Sequence, residues 1–142
     1  MSFTTRAMTI ADYAEVMRLW ETSEGIGLSS GDSPEAIARY LARNPGMSLV
    51  AIGEQGEVAG AVLCGHDGRR GYLHHLAVRP EYQRQGLGRA LVDACLARLA
   101  QEGIDKCHIF VHRTNTVGQA FWQAMDWTER KSLIIMSKDI ER

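Results

Sequence analysis

The stretch Gln83-Arg84-Gln85-Gly86-Leu87-Gly88 carries the clearest chemistry in the chain. Gly86 and Gly88 remove side chains where a helix is about to begin, so the amides of residues 84–89 can converge on one point. A helix start already offers N–H groups without intrahelical partners and the positive end of the backbone dipole. Together these features make a site for a phosphate or pyrophosphate. No Gly-Lys-Ser/Thr is present, which argues against a nucleoside-triphosphate P-loop, and the Gly-x-Gly-x-x-Gly of dinucleotide folds is also missing. The adjacent Arg69 and Arg70 could clamp a carboxylate or phosphate, although charged turns are more often plain surface. Cys64, Cys95 and Cys107 are odd in number and unclustered, and each reads as a small buried hydrophobe. No metal site is indicated.

The elements that must position the turn are legible on both sides. Tyr72–Val78 is apolar and β-capable, and Arg79-Pro80 ends it, because proline cannot serve a ladder. Leu91, Ala94, Cys95, Arg98 and Leu99 then recur at helical spacing. Upstream, Thr4–Met8 reads as a strand and Thr9 with Asp12 as a capping box. A helix follows, with Tyr13, Val16, Met17 and Trp20 on one face. The glycine- and serine-rich residues 25–32 read as loop. Ser33-Pro34 opens a second helix that stops at Asn44-Pro45-Gly46. Ser48–Ile52 and Glu57–Cys64 form a hairpin, and a polar turn over residues 65–71 leads into Tyr72. After Gly103, His108–His112 is a strand and Asn115 caps a helix. That helix is expected to turn Val117, Ala120, Phe121, Ala124 and Met125 inward. Thr128–Ile140 closes the chain as one strand. The pattern is an α/β sheet of mixed direction, with residues 1–142 as a single domain.

Bulk properties set further bounds. Hydrophobic content of 45% and charge of 23% fit a soluble globular chain. A net charge of −1 supplies no basic excess, so neither nucleic acid nor a membrane surface is expected as a partner. No signal-like apolar run opens the sequence, and the expected location is cytoplasmic.

Residues 78–91 resemble the acyl-CoA signature of the GNAT superfamily of N-acetyltransferases, and in particular its small, single-domain bacterial (YpeA-like) members. The signature, Arg/Gln-x-x-Gly-x-Gly/Ala, is matched by Gln83, Gly86 and Gly88. A second stretch, residues 115–127, resembles the family phrase Asn-x-x-x-x-Ala-x-Tyr-x-x-x-Gly-Phe. Asn115 and Ala120 match it, whereas Trp122 replaces the tyrosine, Asp126 the glycine and Trp127 the phenylalanine.

The resemblance implies a GNAT-like mixed sheet of about six strands flanked by four helices, with Tyr72–Val78 and Cys107–Val111 splayed apart. It implies acetyl-CoA as cosubstrate and an amine as acceptor. Cofactor binding would fall to the backbone of Leu76, Ala77 and Val78, to Gln83, Arg84, Gln85, Gly86, Leu87, Gly88 and Arg89, and to Asn115 and Trp122. His74 or His75 would be the general base, since an imidazole with a pKa of about 6.5 can take the proton of an attacking amine. Adjacent strand residues face opposite ways, so only one enters the cleft unless a bulge turns both. His112 ranks behind them, and His66 reads as solvated. Indole cannot replace the tyrosine hydroxyl that usually protonates the leaving thiolate. The short C-terminus leaves one wall of the acceptor site missing, or supplied by a second subunit in a homodimer. Two other readings stand beside the enzyme: a non-catalytic acyl-CoA sensor, favoured by Trp122, and a flavodoxin-like phosphate-binding domain, opposed by the consecutive strands of residues 48–78.

Overall fold

A computed structural model describes residues 2–142; Met1, which the single-domain expectation includes, lies outside them. Strand β1 is Phe3–Ala7. The expected capping box forms, with the Thr9 amide donating to Asp12 Oδ2 at 2.9 Å. Arg6 donates to both oxygens of Asp12 at 2.8 Å and holds this carboxyl below the usual range. A 3-10 turn, Ile10–Asp12, leads into helix α1, Tyr13–Glu21. The segment read as loop contains a second 3-10 turn, Ser30–Asp32. Helix α2, Pro34–Arg43, starts as expected, Ser33 Oγ accepting from the Ala36 amide at 3.1 Å. Then come β2 (Leu49–Gly53), β3 (Val58–His66), β4 (Gly71–Val78), α3 (Leu87–Gln101), β5 (Cys107–Ile109) and α4 (Thr116–Ala124).

The strands form one sheet in the order β1-β2-β3-β4-β5, antiparallel as far as β4 and parallel between β4 and β5. That parallel step requires a crossover, which α3 supplies. Both faces are covered, so β3 is an unbroken apolar run buried from Val58 to Gly65. On one face Leu87, Leu91, Cys95 and Leu99 of α3 pack on Leu49, Val62 and Cys64; on the other, Val16, Trp20 and Ile37 pack on Val50, Ala61 and Ala77. Helix α3 lies so close that a Cβ on Gly60 would stand 2.6 Å from Leu87 Cδ2 and 3.1 Å from the Ala77 carbonyl. Gly60→Val therefore overpacks this contact and lowers stability by about 1–3 kcal/mol in urea unfolding.

Two expectations about the C-terminal third fail. The strand over Thr128–Ile140 does not form: residues 128–142 join no ladder, and Leu133, Ile134, Ile135, Met136 and Ile140 are 60% to 88% exposed. An apolar run becomes a strand only where an edge receives it, and no edge of this chain does. Val117, expected to face inward, is 81% exposed, and α4 buries none of its residues. Among the described residues, no helix is long and apolar enough to cross a membrane.

Candidate active site

The ladder between β4 and β5 stops after Leu73 and Ile109. Beyond that point the facing edge of β4 is unpaired, and a cleft of about 1260 Å³ opens between the strands. It reaches from the turn before α3 to the 24–27 loop after α1. The Arg79 amide donates to the Ala59 carbonyl at 2.8 Å, so antiparallel alternation aims the Val78 amide the other way, into the opening. Ala77 is paired with Ala61 and buried.

At one end, Arg84 (φ 63°) and Gly86 (φ 80°) both take left-handed conformations. Left-handed residues alternating with ordinary ones curl successive amides into a concave nest for an anion. A Cβ built on Gly86, the N-cap of α3, would meet no atom within 4 Å, so the space over the amides is open. Arg84 and Arg89 border the same end of the cleft and no carboxylate of the turn does, a charge balance that fits a pyrophosphate. Gln83 Nε2 donates to the Val78 carbonyl at 3.0 Å and ties the turn to β4. Gln85 does not border the cleft; its side chain donates back to the Glu81 carbonyl at 2.9 Å. Gly88 lets α4 approach, since a Cβ there would lie 3.3 Å from Phe121 Cζ.

Both histidines border the cleft, because β4 carries a bulge. Leu63 pairs with His74 but Ala61 with Ala77, so β4 holds an extra residue, and His75 takes φ 56°. A non-glycine residue pays for that conformation, and such strain gathers at functional positions. His74 stacks with Tyr72 and Phe110, at ring distances of 6.4 and 6.0 Å, and burial pushes its pKa below the usual histidine value. His75 lies edge-on to Trp20 at 5.0 Å, and its Nε2 bonds Asp32 Oδ1 at 2.9 Å.

Asp32 was not among the residues the sequence singled out. It is buried, its other carboxylate oxygen accepts from the Ser29 amide at 3.0 Å, and its carbonyl accepts from the Tyr13 hydroxyl at 2.5 Å. The spacing Ser29-x-x-Asp32 is a readable capping box and could have located the turn. It could not have named the partner 43 residues away.

Asn115 caps α4, its Oδ1 accepting from the Gly118 amide at 2.9 Å. A Cβ on Gly25 (φ 82°) would fall 2.6 Å from Asn115 Nδ2, so glycine is what allows the 24–27 loop to meet α4. Trp122 borders the cleft while packing on the core and on Trp127, 5.0 Å away. His112 also borders the cleft. His66 does not; it accepts from the Gly68 amide at 3.0 Å and faces Glu102. Arg69 and Arg70 stand in a surface turn organised by Asp67, whose Oδ1 accepts both of their amides and whose carboxyl those bonds keep below its usual range. The three cysteines are free thiols; Cys64 and Cys95 are buried, and burial pushes Cys107 up to about 12, away from the thiolate a nucleophile needs.

The chain matches the model of the acetyltransferase (GNAT) family over residues 13–127. It is 33% identical over 129 residues to an acetyltransferase of Photorhabdus laumondii, covering 89% of this chain and 88% of that one. Over 128 residues it is 30% identical to an acetyltransferase of Sodalis glossinidius, with the same coverage. Among solved structures, a GNAT acetyltransferase of Staphylococcus aureus Mu50 superposes with TM-score 0.80 at 13% identity, covering 99% and 95% of the two chains. The PaiA N-acetyltransferase of Thermoplasma acidophilum, in complex with coenzyme A, superposes with TM-score 0.74 at 22% identity, covering 88% and 89%.

Proposed function

We propose that this chain, which belongs to the GNAT family of acetyltransferases and is an acetyl-CoA-dependent N-acetyltransferase, acts on a primary amine by direct attack on the thioester. The acceptor is a small molecule, an amino-acid-like compound or a peptide N-terminus. The observation that carries this reading is His75, on the wall of the cleft that begins at the turn before α3, with its Nε2 2.9 Å from the buried Asp32 behind it. Acetyl-CoA supplies the acetyl group as a thioester. The amides of residues 84–89, with Arg84 and Arg89, would hold its phosphates. The Val78 amide would hydrogen-bond the arm or the carbonyl.

A lysine-like amine has a pKa of about 10.4 and arrives protonated. Glu24 on the cleft rim attracts the cation, opposite in sign to the arginines at the turn. Donation from Nε2–H to Asp32 leaves His75 Nδ1 as the acceptor for the amine proton. His74, whose pKa burial and the neighbouring His75 lower, lines the path and ranks second as base. The acceptor side has no wall from a C-terminal hairpin, and a homodimer is the assembly that closes it.

Trp122 leaves the departing sulfur without a tyrosine acid. A thiol with a pKa near 8.5, by analogy with cysteine, is a tolerable leaving group without one. The test is release of free thiol from acetyl-CoA across a panel of amines and peptides. Wild type turns over at least one acceptor, and Trp122→Tyr keeps coenzyme A affinity and preserves or raises kcat. Tight acetyl-CoA binding with no thiol released by either protein would give the site to a non-catalytic sensor.

A further inference from the structure

Lysine is scarce in this chain. Of its 16 lysines and arginines only Lys106, Lys131 and Lys138 are lysine, and the last two lie in the segment after α4. The distinction is chemical. An arginine guanidinium stays protonated, whereas a lysine amine can lose its proton and act as a nucleophile. Residues 131–142 are all exposed and join no ladder.

The path of that segment returns it to the active site. Thr128 and Arg130 border a separate cavity of about 540 Å³, outside the cleft, together with Lys106 and His108. A turn follows, the Leu133 amide donating to the Arg130 carbonyl at 3.2 Å. Ile135 then borders the cleft between β4 and β5, as Trp122 does. Lys138 stands beyond Ile135 by about 10 Å of extended chain, and its four-carbon stem lengthens that reach. The cleft wall from Leu73 to Val78 measures about 17 Å at the same rise, so the Lys138 amine can reach its interior. Lys131 adjoins Arg130 before the turn, and Lys106 stays with the outer cavity.

We propose that the chain acetylates itself, its own Lys138 accepting the acetyl group of acetyl-CoA bound to the same molecule. Lys138 arrives as an ammonium and yields one proton to the base assigned above. Its Nζ attacks the thioester carbonyl carbon, the C–N bond forms and the C–S bond breaks. The second proton, lost as the amide forms, goes to the departing sulfur, and coenzyme A leaves as the thiol. Tethering favours the step, because an amine on the same chain meets the thioester at an effective concentration on the order of millimolar. Self-acetylation rests on the acetyl-transfer reading above and adds an acceptor within the chain.

The test incubates wild type with saturating acetyl-CoA and no amine, and reads the label by intact mass and peptide mapping. One acetyl group is expected on Lys138, with a first-order rate that dilution of the protein leaves unchanged. Lys106 and Lys131 should be labelled about tenfold or more slowly, since neither is held at the cleft. Lys138→Arg should lose the label and keep its coenzyme A affinity. Placement is read without turnover: Lys138→Cys, treated with the disulfide of coenzyme A, should form the mixed disulfide about tenfold faster than Lys106→Cys. Equal labelling of the three lysines, label on Lys131 alone, or a rate that rises with protein concentration overturns the proposal. So do equal rates for the two cysteine variants. An unlabelled chain that still releases thiol with an added amine overturns self-acetylation alone. Acetyl transfer to neither lysine nor amine takes the acetyl-transfer reading with it.

Discussion

Gly86→Asp is expected to abolish coenzyme A binding while the fold survives. The position has φ 80°, and a Cβ there meets no protein atom within 4 Å, so the new side chain projects into the space over the turn amides. Aspartate tolerates a left-handed backbone better than most residues, which limits the conformational cost. The carboxylate then sits where the proposed phosphate would, replacing attraction by repulsion and filling the concavity. Gly86→Asn separates the two effects: it has nearly the same shape and backbone tolerance but no charge. Calorimetry should find binding lost in Gly86→Asp, with weaker but measurable binding in Gly86→Asn. Wild-type affinity in both variants would remove the turn from the binding site.

Asp32→Asn is expected to lower kcat by about 10² or more, the usual scale of a lost general base, with coenzyme A affinity unchanged. Asparagine can keep an oxygen for the Ser29 amide, so the 3-10 turn persists. Its nitrogen then faces His75 and must donate to Nε2, which moves the ring proton to Nδ1 and removes the lone pair that, in the proposed mechanism, takes the amine proton. His75→Ala should remove the acidic limb of the pH–rate profile, because that limb records protonation of the base. A double-mutant cycle separates positioning from mere scaffolding: Asp32→Asn should cost little once His75 is alanine. If His75→Ala keeps its limb and His74→Ala loses it, His74 is the base. The wild-type limb should then lie below about pH 6.5, because burial holds His74 below the ordinary histidine pKa.

What the sequence determined by itself is mostly what spans a few residues. Gly86 and Gly88 at the mouth of a helix mark a turn with room for an anion, because two missing side chains and a row of unpartnered amides need only consecutive residues. The caps at Thr9, Ser33 and Asn115 follow from bonds over three residues, and all three form. The apolar periods place the strands and helices around the turn, and the order of those elements implies a mixed sheet. Tertiary structure decided the rest. That both His74 and His75 enter the cleft depends on a bulge in the pairing of β4 with β3, a property of two strands rather than of either. Asp32 becomes the partner of His75 only when a turn after α1 folds across a strand far along the chain. The residues of 128–140 are those of a strand, yet that segment stays unpaired: the outer edge of β5 is open, but the chain does not lay the segment along it. Local pattern measures a segment's capacity to pair, and only the tertiary structure determines whether it meets an edge with which to share hydrogen bonds.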